Sequence, residues 1–520
     1  MTGAEAVLRT AAAAGVEVCF ANPGTTEMAL VNALDHVPSI RAVLGLFEGV
    51  CSGAADGYAR MARRPALTLL HLGPGFANAI ANLHNARRAH SPVVNLVGDQ
   101  ATWHRDADAP LTSDIASLAR PVSRWVRETR AASQIAQDAA DAIAAALEPP
   151  GGVATLVLPS DCQEGEVAGP AKPTALRAAR PVPTERVEAA AAALRGRSNG
   201  AIHLGGAALT ERGQRAAARV RAATGCRLFS ECFPARFERG GDLPDVARLP
   251  YFPERVASFL EGLDTIVLAG APEPVAFFGY RGMPSRLSPP GSRVLTLAAA
   301  EDDVEGALEA LADAVGALAA PTASPTSRAE PPRASGALTP DSVASVLASL
   351  QPDGAIVVDE SATTGLGYFP AAARAPRHSF LTLTGGSIGM GPACATGAAI
   401  ACRDRVVINF QGDGGAMYTP QALWTQAREQ LRVVTLICSN RAYRILQIES
   451  ARAGVPAPGP QAASLTELSR PPLDWVHLAR GMGVPATRAV SLESLEDALR
   501  RAIAEQGPHV VEAVLSDAGR

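Results

Sequence analysis

The first third of the chain alternates short apolar runs with stretches of mixed polarity. The apolar runs have the length and composition of buried strands: 16–24, 42–46, 65–75, 92–99 and 153–159. The segment 76–90 between two of them has the polarity pattern of a helix. Because strands that alternate with helices form parallel sheets covered on both faces, we predict an α/β domain over residues 1–165.

The same alternation recurs twice farther along the chain. One set of strand-like runs lies within 185–318, and another lies within 337–520. Between these two regions, residues 319–336 are rich in Pro, Ser and Ala, a composition typical of a linker. The pattern predicts three doubly wound α/β domains with parallel sheets, and by itself it says nothing about function.

Composition narrows the class of protein without identifying it. The 520 residues are 47% hydrophobic and 19% charged, with a formal net charge of -4. This balance predicts a globular protein without a nucleic-acid or anionic-membrane partner. The eight cysteines form no CxxC pair, so we expect reduced, buried thiols. We find no signal-peptide pattern and no apolar stretch near the roughly 20 residues of a membrane span, which predicts a cytoplasmic protein.

Residues 405–420 combine a strand, a glycine turn and the start of a helix. The apolar run 406–410 leads into Gly-Asp-Gly-Gly at 412–415. Glycines there permit positive φ angles and a close approach of the backbone to a ligand. Thr419 and Pro420 have the residue types of a helix N-cap and a first helical position. The segment therefore predicts a turn lined by backbone at the carboxyl end of a strand.

A second strand, 433–438, follows and ends at Ser439 and Asn440. In a right-handed crossover both strands run parallel, so Asp413 and Asn440 both lie at the carboxyl edge of the sheet, where ligands bind. A carboxylate, an amide oxygen and a nearby backbone carbonyl suit Mg²⁺, completed by water and phosphates. A GDG turn alone more often belongs to a βαβ unit without ligand. Its spacing from Ser-Asn makes the metal site the more specific prediction.

This pattern resembles the thiamine diphosphate motif, in which GDG is followed after a similar interval by Asn-Asn. The segment is especially similar to benzoylformate decarboxylase and to acetolactate-synthase-like large-subunit proteins. The resemblance implies thiamine diphosphate as cofactor, with Mg²⁺ bound by Asp413, the Asn440 side chain and the Ala442 carbonyl. Ser439 departs from the motif, but the second Asn is the ligand, so metal binding is expected to survive. Further cofactor contacts are implied around the metal: Gly412, Gly414, Gly415, Ala416 and Tyr443.

Two other parts of the chain carry the same resemblance. Glu48 follows the run 42–46 and begins a predicted helix, where an acidic residue is common for dipole reasons alone. In the family, a Glu in this context contacts the aminopyrimidine ring and promotes the tautomer that removes the thiazolium C2 proton.

The glycine-rich stretch 383–391 is similar to the family's pyrimidine-anchoring loop. The Gly386 carbonyl would accept from the 4′-amino group. Ile388 would be the apolar wedge of the bent cofactor, although a plain core position fits it equally. Thr364 lies in a hydroxyl-rich stretch that resembles the loop gripping the diphosphate, or that caps a helix.

The substrate end of the predicted site mixes features of both relatives. Thr25 lies where the decarboxylases carry a substrate-touching Ser, and His71 lies where benzoylformate decarboxylase has an active-site His. An imidazole there can bind the substrate carboxylate and shuttle protons. However, no His occurs between His203 and His378, so the second His of benzoylformate decarboxylase is missing and Phe277 lies nearby. The stretch after Asn440 also lacks the Trp of acetolactate synthases.

These observations lead to three functional hypotheses. The first is a thiamine-diphosphate-dependent 2-oxo acid decarboxylase or carboligase, acting on a small molecule with a possible aldehyde or 2-oxo acid acceptor. The second is an acetolactate-synthase-type transferase that condenses two 2-oxo acids. The third is a catalytically silent relative, against which the intact Glu48, Asp413 and Asn440 argue. The resemblance also implies a homodimer or homotetramer with active sites between subunits.

Overall fold

The computed structural model describes residues 1–196, 199–317, 335–455 and 457–516. The described residues divide into two compact units. One comprises those of Met1–Leu176, Ala329–Ala372 and Leu383–Arg520, and the other comprises those of Arg177–Arg328 and Ala373–Thr382. The predicted linker 319–336 lies almost entirely outside the described residues. The predicted domain limits therefore stay predictions.

The amino-terminal part of the first unit contains six strands and seven helices in the described residues. In chain order they are α1 (Gly3–Ala13), β1 (Val18–Asn22), α2 (Met28–Leu34), β2 (Arg41–Leu44), α3 (Glu48–Ala62), β3 (Ala66–Leu70), α4 (Leu72–Arg88), β4 (Val93–Asp99), α5 (Ile115–Ala119), β5 (Trp125–Glu128), α6 (Ile135–Leu147), β6 (Val153–Pro159) and α7 (Ser160–Glu164). The sheet order is β2-β1-β3-β4-β6-β5, and every pair is parallel.

Both faces of this sheet are covered, as the continuous apolar runs predict. One hydrophobic cluster packs α1 and α6 against one face, and another packs α3 and α4 against the other face. Strands β3, β4 and β6 are buried along their whole length. This burial on two sides fixes the sheet and leaves its carboxyl edge free to carry polar side chains.

The second unit contains a smaller parallel sheet. Its described elements in chain order are α8 (Thr184–Leu194), β7 (Gly200–Leu204), α9 (Glu211–Thr224), β8 (Arg227–Ser230), β9 (Phe237–Arg239), β10 (Ala247–Arg248), α10 (Pro253–Leu260), β11 (Thr265–Ala269), β12 (Arg293–Ala298) and α11 (Val304–Ala314). The sheet order is β10-β8-β7-β11-β12, all parallel.

The remaining elements follow residue 335. They are α12 (Pro340–Leu350), β13 (Ala355–Glu360), α13 (Tyr368–Ala371), β14 (His378–Thr382), α14 (Met390–Ala401), β15 (Val407–Gly412), α15 (Asp413–Ala416), α16 (Ala422–Arg428), β16 (Val433–Ser439), α17 (Arg444–Arg452), α18 (Pro460–Ser464), α19 (Trp475–Gly481), β17 (Ala486–Ala489), α20 (Leu492–Ala504) and β18 (His509–Val514). Within the first unit, β17-β18-β16-β15-β13 form parallel neighbours. In the second unit, β14 pairs antiparallel with β9.

The predicted fold class is confirmed, because three parallel α/β sheets are present. The sequence pattern missed the short or partly exposed strands β5, β9, β10 and β17, and also β14, which is buried along its whole length. The prediction of a helix N-cap at Thr419 is wrong. The helix α16 begins at Ala422 with Gln421 at the cap, and the Thr419 hydroxyl instead donates to the Gly389 carbonyl at 2.7 Å. A partner far along the chain outcompetes the local cap. Within the described ranges, no helix has the length and apolar character that a bilayer crossing needs.

Candidate functional site

Three predicted residues lie at one edge of the amino-terminal sheet. The parallel register aligns the ends of β1, β2 and β3, with Ala21 beside Leu44 and Asn22 beside Leu70. Thr25, Glu48 and His71 each follow one of these strands. Thr25 is exposed and begins a single 3-10 turn that ends at Glu27. The topology therefore gathers these side chains, separated in sequence, at the carboxyl edge, as expected for parallel strands.

Glu48 is held at the start of α3 by a residue that the sequence did not single out. Its side chain is buried, and the Asn78 amide donates to Glu48 Oε2 at 2.9 Å. Gly75 gives the carboxylate room, because a Cβ there would lie 2.9 Å from Glu48 Oε1. Gly75 and Asn78 both belong to α4, about one and two turns after His71. The first two turns of α4 thus orient the carboxylate.

His71, which is partly buried, pairs with the fully buried Glu27, a residue that the sequence did not single out. The imidazole Nδ1 lies 2.8 Å from Glu27 Oε2. Glu27 is fully buried and also accepts from the Gly24 amide at 2.8 Å and the Thr26 hydroxyl at 2.6 Å. A carboxylate accepts only, so it selects the tautomer with hydrogen on Nδ1 and leaves Nε2 for other chemistry. The acidic residue two positions after Thr25 was the available signal.

Glycines make room for this pair by close approach. A Cβ on Gly24 would lie 2.1 Å from His71 Nδ1, and one on Gly98 would lie 1.8 Å from Glu27 Oε1. The apolar run 65–75 is a strand only as far as Leu70. Residues 72–75 form the first turn of α4, with His71 at its N-cap position. The imidazole makes no capping bond, so its contact with Glu27 decides its orientation.

At the carboxyl-terminal sheet, the structure brings Asp413 to the segment that follows Asn440. Gly412 at the end of β15 pairs with Cys438 near the end of β16. The Arg441 amide donates to Asp413 Oδ2 at 2.7 Å, and the Gly414 amide donates to Oδ1 at 2.9 Å. Asn440 is buried, and its Oδ1 accepts from the Ala442 amide at 3.1 Å. The carboxylate and the carboxamide therefore lie at the same edge of the sheet.

The glycines at 412–415 serve close packing rather than unusual backbone angles. Gly412 has φ -85°, and Gly414 and Gly415 lie in the helical turn Asp413–Ala416, so these glycines do not use the positive φ that their residue type permits. A Cβ on Gly414 would lie 2.4 Å from Cε1 of Tyr443, and one on Gly415 would lie 3.0 Å from Glu360 Oε1. Any larger residue here would displace the neighbouring strand ends. Ala416, the last residue of this turn, is buried.

The electrostatics of Asp413 suit a bound cation. Burial raises the pKa of Asp413 to about 6, against the lowering effect of the amides that donate to it. In the described part of the chain no Lys or Arg side chain pairs with this carboxylate. Among the same residues no group of three or more His, Cys, Asp or Glu side chains is arranged to hold a metal ion. A single buried carboxylate beside an amide oxygen fits Mg²⁺ completed by phosphate oxygens, and does not fit a site built from protein carboxylates alone.

The glycine segment 384–389 lies beside this edge. Gly386 and Gly389 have φ angles of +75° and +93°, which favour glycine at both positions. Ile388 is half-buried and not part of the fully buried core. Glu360, at the end of β13, accepts from the amides of Gly389 and Gly391 and so anchors the end of this segment. Thr364 is buried in the turn after β13.

We expect Glu360 to make the stability of the protein depend on pH. Burial raises the pKa of Glu360 from 4.5 to about 7, more than the Gly389 and Gly391 amides lower it. A raised carboxyl pKa contributes stability below pH 4.5 that is lost as pH rises through 7. In urea unfolding, the wild-type advantage over Glu360→Gln should therefore shrink by about 2–3 kcal/mol between pH 5 and pH 8. An advantage that grows with pH would contradict this.

Two family models match separate parts of the chain. Residues 1–118 match the thiamine pyrophosphate enzyme N-terminal TPP binding domain, and residues 364–513 match the C-terminal TPP binding domain. IlvX of Mycobacterium tuberculosis, whose name places it among acetolactate synthase large subunits, is 50% identical over 518 residues, covering 99% of both chains. Benzoylformate decarboxylase of Pseudomonas aeruginosa is 31% identical over 528 residues, covering 96% of both.

A solved structure is also similar to this chain along its length. The thiamine diphosphate-dependent 4-hydroxybenzoylformate decarboxylase of Rhodococcus jostii superposes with a TM-score of 0.86 at 26% identity, covering 99% of each chain. The two matched domains include the Glu48 cluster in the amino-terminal sheet and the Asp413 cluster in the carboxyl-terminal one. The relatives extend over the whole length of the chain, so the likeness is not confined to one domain. The chain belongs to the thiamine pyrophosphate enzyme family.

Proposed function

We propose that this chain is a thiamine-diphosphate-dependent decarboxylase or carboligase that acts on a 2-oxo acid. The observation that carries the proposal is the His71–Glu27 pair beside Glu48 at one sheet edge, in a chain with decarboxylase relatives along its full length. Bound thiamine diphosphate supplies the electron sink that lets CO₂ leave a 2-oxo acid. The protein's own residues must bind, orient and exchange protons.

The carboxyl-terminal cluster is the proposed metal and diphosphate site. Asp413, Asn440 and the Ala442 carbonyl would bind Mg²⁺, which would compensate the buried charge of Asp413. Cofactor contacts would come from residues around the two strand ends: Gly412, Gly414, Gly415, Ala416, Tyr443 and Thr364. Gly386 would present its carbonyl to the pyrimidine, and the half-buried Ile388 would support the bent cofactor.

The amino-terminal cluster is the proposed proton-handling site. Glu48, oriented by Asn78, would hold a hydrogen bond to the pyrimidine ring of the cofactor. His71 would bind the substrate carboxylate or move a proton through Nε2, because Nδ1 is committed to Glu27. Thr25 is exposed and would contact the substrate. We also predict a homodimer or homotetramer in which Glu48 and Asp413 of one site come from different chains. A cytoplasmic location is a further prediction.

Glu27→Gln is expected to lower kcat about 10- to 100-fold while leaving the Kd for thiamine diphosphate unchanged. The neutral amide cannot stabilise a protonated His71, and its NH₂ group would face the Gly24 or Thr26 donors. The measurements are steady-state turnover of the best 2-oxo acid and cofactor titration. The matched control is Glu17→Gln, which removes an exposed carboxylate paired with Arg64. Equal kcat in both variants would rule out a role for the pair.

One observation favours the second hypothesis, an acetolactate-synthase-type transferase. The relative with 50% identity carries the name of an acetolactate synthase large subunit. Incubating the holoenzyme with pyruvate separates the hypotheses, since acetaldehyde and CO₂ support decarboxylation and acetolactate supports the transferase. A panel of 2-oxo acids, with and without aldehydes and analysed by mass, then defines the substrate class. No cofactor-dependent product from any of them would support a catalytically silent relative.

A further inference from the structure

The glycine segment 384–389 is fixed by a side chain from the amino-terminal part of the same unit. Asn85, near the end of α4, has no solvent exposure. Its Oδ1 accepts from the amides of Gly385 and Ser387, each at 3.2 Å, and its Nδ2 donates to the Ser387 carbonyl at 2.7 Å. The carboxamide thereby binds the backbone on both sides of Gly386.

Contacts of Thr384 and His84 also hold the glycine segment 384–389 against α4. The Thr384 hydroxyl donates to the Asn85 carbonyl at 2.8 Å, and His84 Nε2 lies 3.2 Å from the Gly385 carbonyl. A Cβ on Gly385 would lie 2.6 Å from the His84 ring and 2.7 Å from Asn85 Oδ1. The segment therefore lies directly against α4, with no room to shift toward it.

In this network the carbonyls of the two residues that flank Gly386 contact hydrogen-bond partners, whereas the Gly386 carbonyl does not. The Gly385 carbonyl contacts His84, and the Ser387 carbonyl accepts from Asn85. Among the described residues, no hydrogen bond ends on the carbonyl oxygen of Gly386. Its own amide donates to Leu383, and its φ of +75° is held from both sides. The Gly386 carbonyl is thus a hydrogen-bond acceptor of fixed direction that remains available to a ligand.

We propose that Asn85 is a positioning residue for the pyrimidine end of the cofactor, acting through segment 384–389. The inference rests on the proposed function and deepens it. The carboxamide uses its two acceptor lone pairs and one donor on this backbone, and its second donor on the Asn82 side chain at 3.2 Å. Ala would satisfy none of the three bonds, and Asp would keep the two acceptor bonds but lose the donor. Freed from Asn85, the Gly386 carbonyl would lose its direction, and small misplacements of this kind weaken recognition strongly.

Two probes separate the two ends of the cofactor. Magnesium pyrophosphate carries only the diphosphate, whereas magnesium thiamine diphosphate also carries the pyrimidine. We expect Asn85→Ala to raise the Kd for thiamine diphosphate roughly tenfold or more, because the three hydrogen bonds to the segment and the one to Asn82 are lost. The Kd for pyrophosphate, measured by calorimetry, should stay within about twofold. Asn85→Asp, which keeps the shape of the side chain, should give a smaller increase of the same kind.

The matched control is Asn95→Ala. Asn95 is also fully buried and bonds through its side chain to Thr68 and Thr155, but it makes no contact with the segment. It should leave both affinities within about twofold of the wild type. Equal weakening of both probes by the Asn85 variants, or an unchanged Kd for thiamine diphosphate, would overturn the positioning role. If Asp413→Ala changes neither affinity, the proposed diphosphate site is wrong, and the role of Asn85 falls with it.

Discussion

Glu48→Gln is expected to lower kcat roughly 10²- to 10⁴-fold, the range that a positioned acid or base contributes. The substitution keeps the size of the side chain and removes only its capacity to take up and return a proton. The carboxamide that it introduces can still accept from Asn78, so the start of α3 should keep its conformation. We therefore expect the Kd for thiamine diphosphate to change by no more than a few fold, because the diphosphate end carries most of the binding.

The measurement is steady-state consumption of the best 2-oxo acid at saturating cofactor, together with cofactor titration. Glu496→Gln is the matched control, since it removes a buried carboxylate of α20 that pairs with Arg500 outside both clusters. That control should keep kcat within about twofold, as expected for a distant, independent site. Cofactor-dependent turnover of Glu48→Gln at the wild-type rate would mean that Glu48 does not activate the cofactor.

Asp413→Asn is expected to abolish Mg²⁺-dependent binding of thiamine diphosphate. Changing a residue that supports a metal ligand weakens metal binding roughly 10- to 100-fold. Removing a residue that binds the metal directly should weaken it more. Apo protein should lose little stability, because removal of a buried charge whose pKa is raised to about 6 by burial offsets the loss of one of the two amide hydrogen bonds. Wild-type protein should gain about 2.7 kcal/mol of stability at a cofactor concentration 100 times Kd, and the variant should gain none.

Thermal unfolding with and without magnesium and cofactor measures both effects in one experiment. Chelation of Mg²⁺ by EDTA should reduce the wild-type protein to the behaviour of the variant. Asp313→Asn is the control, since Asp313 is an exposed partner of Arg219 and should leave the cofactor-induced shift intact. Magnesium-dependent cofactor binding by Asp413→Asn with wild-type affinity would remove Asp413 from the metal site.

Periodicity was sufficient for the fold class but not for every strand. Runs such as those of β4, β6 and β16 are buried throughout, so their composition alone marks them as strands of parallel sheets. Most of the strands that were missed are short or partly exposed, as in β5 and β10, and their composition resembles that of loops, whereas β14 is fully buried. Their pairing depends on a neighbouring strand that the sequence pattern does not reveal.

The amino-acid sequence by itself determined the fold class and the positions of Asp413, Asn440 and Glu48 at strand ends, and its resemblance to a known motif indicated the cofactor. These features follow from local periodicity and from short motifs at strand ends. Only the tertiary structure decided which partners these residues take. Glu27 beside His71, Asn78 beside Glu48 and Asn85 on the glycine segment are contacts across 44, 30 and up to 302 positions. Such contacts depend on how helices and strands pack against one another. Residue type and spacing along the chain do not show this packing.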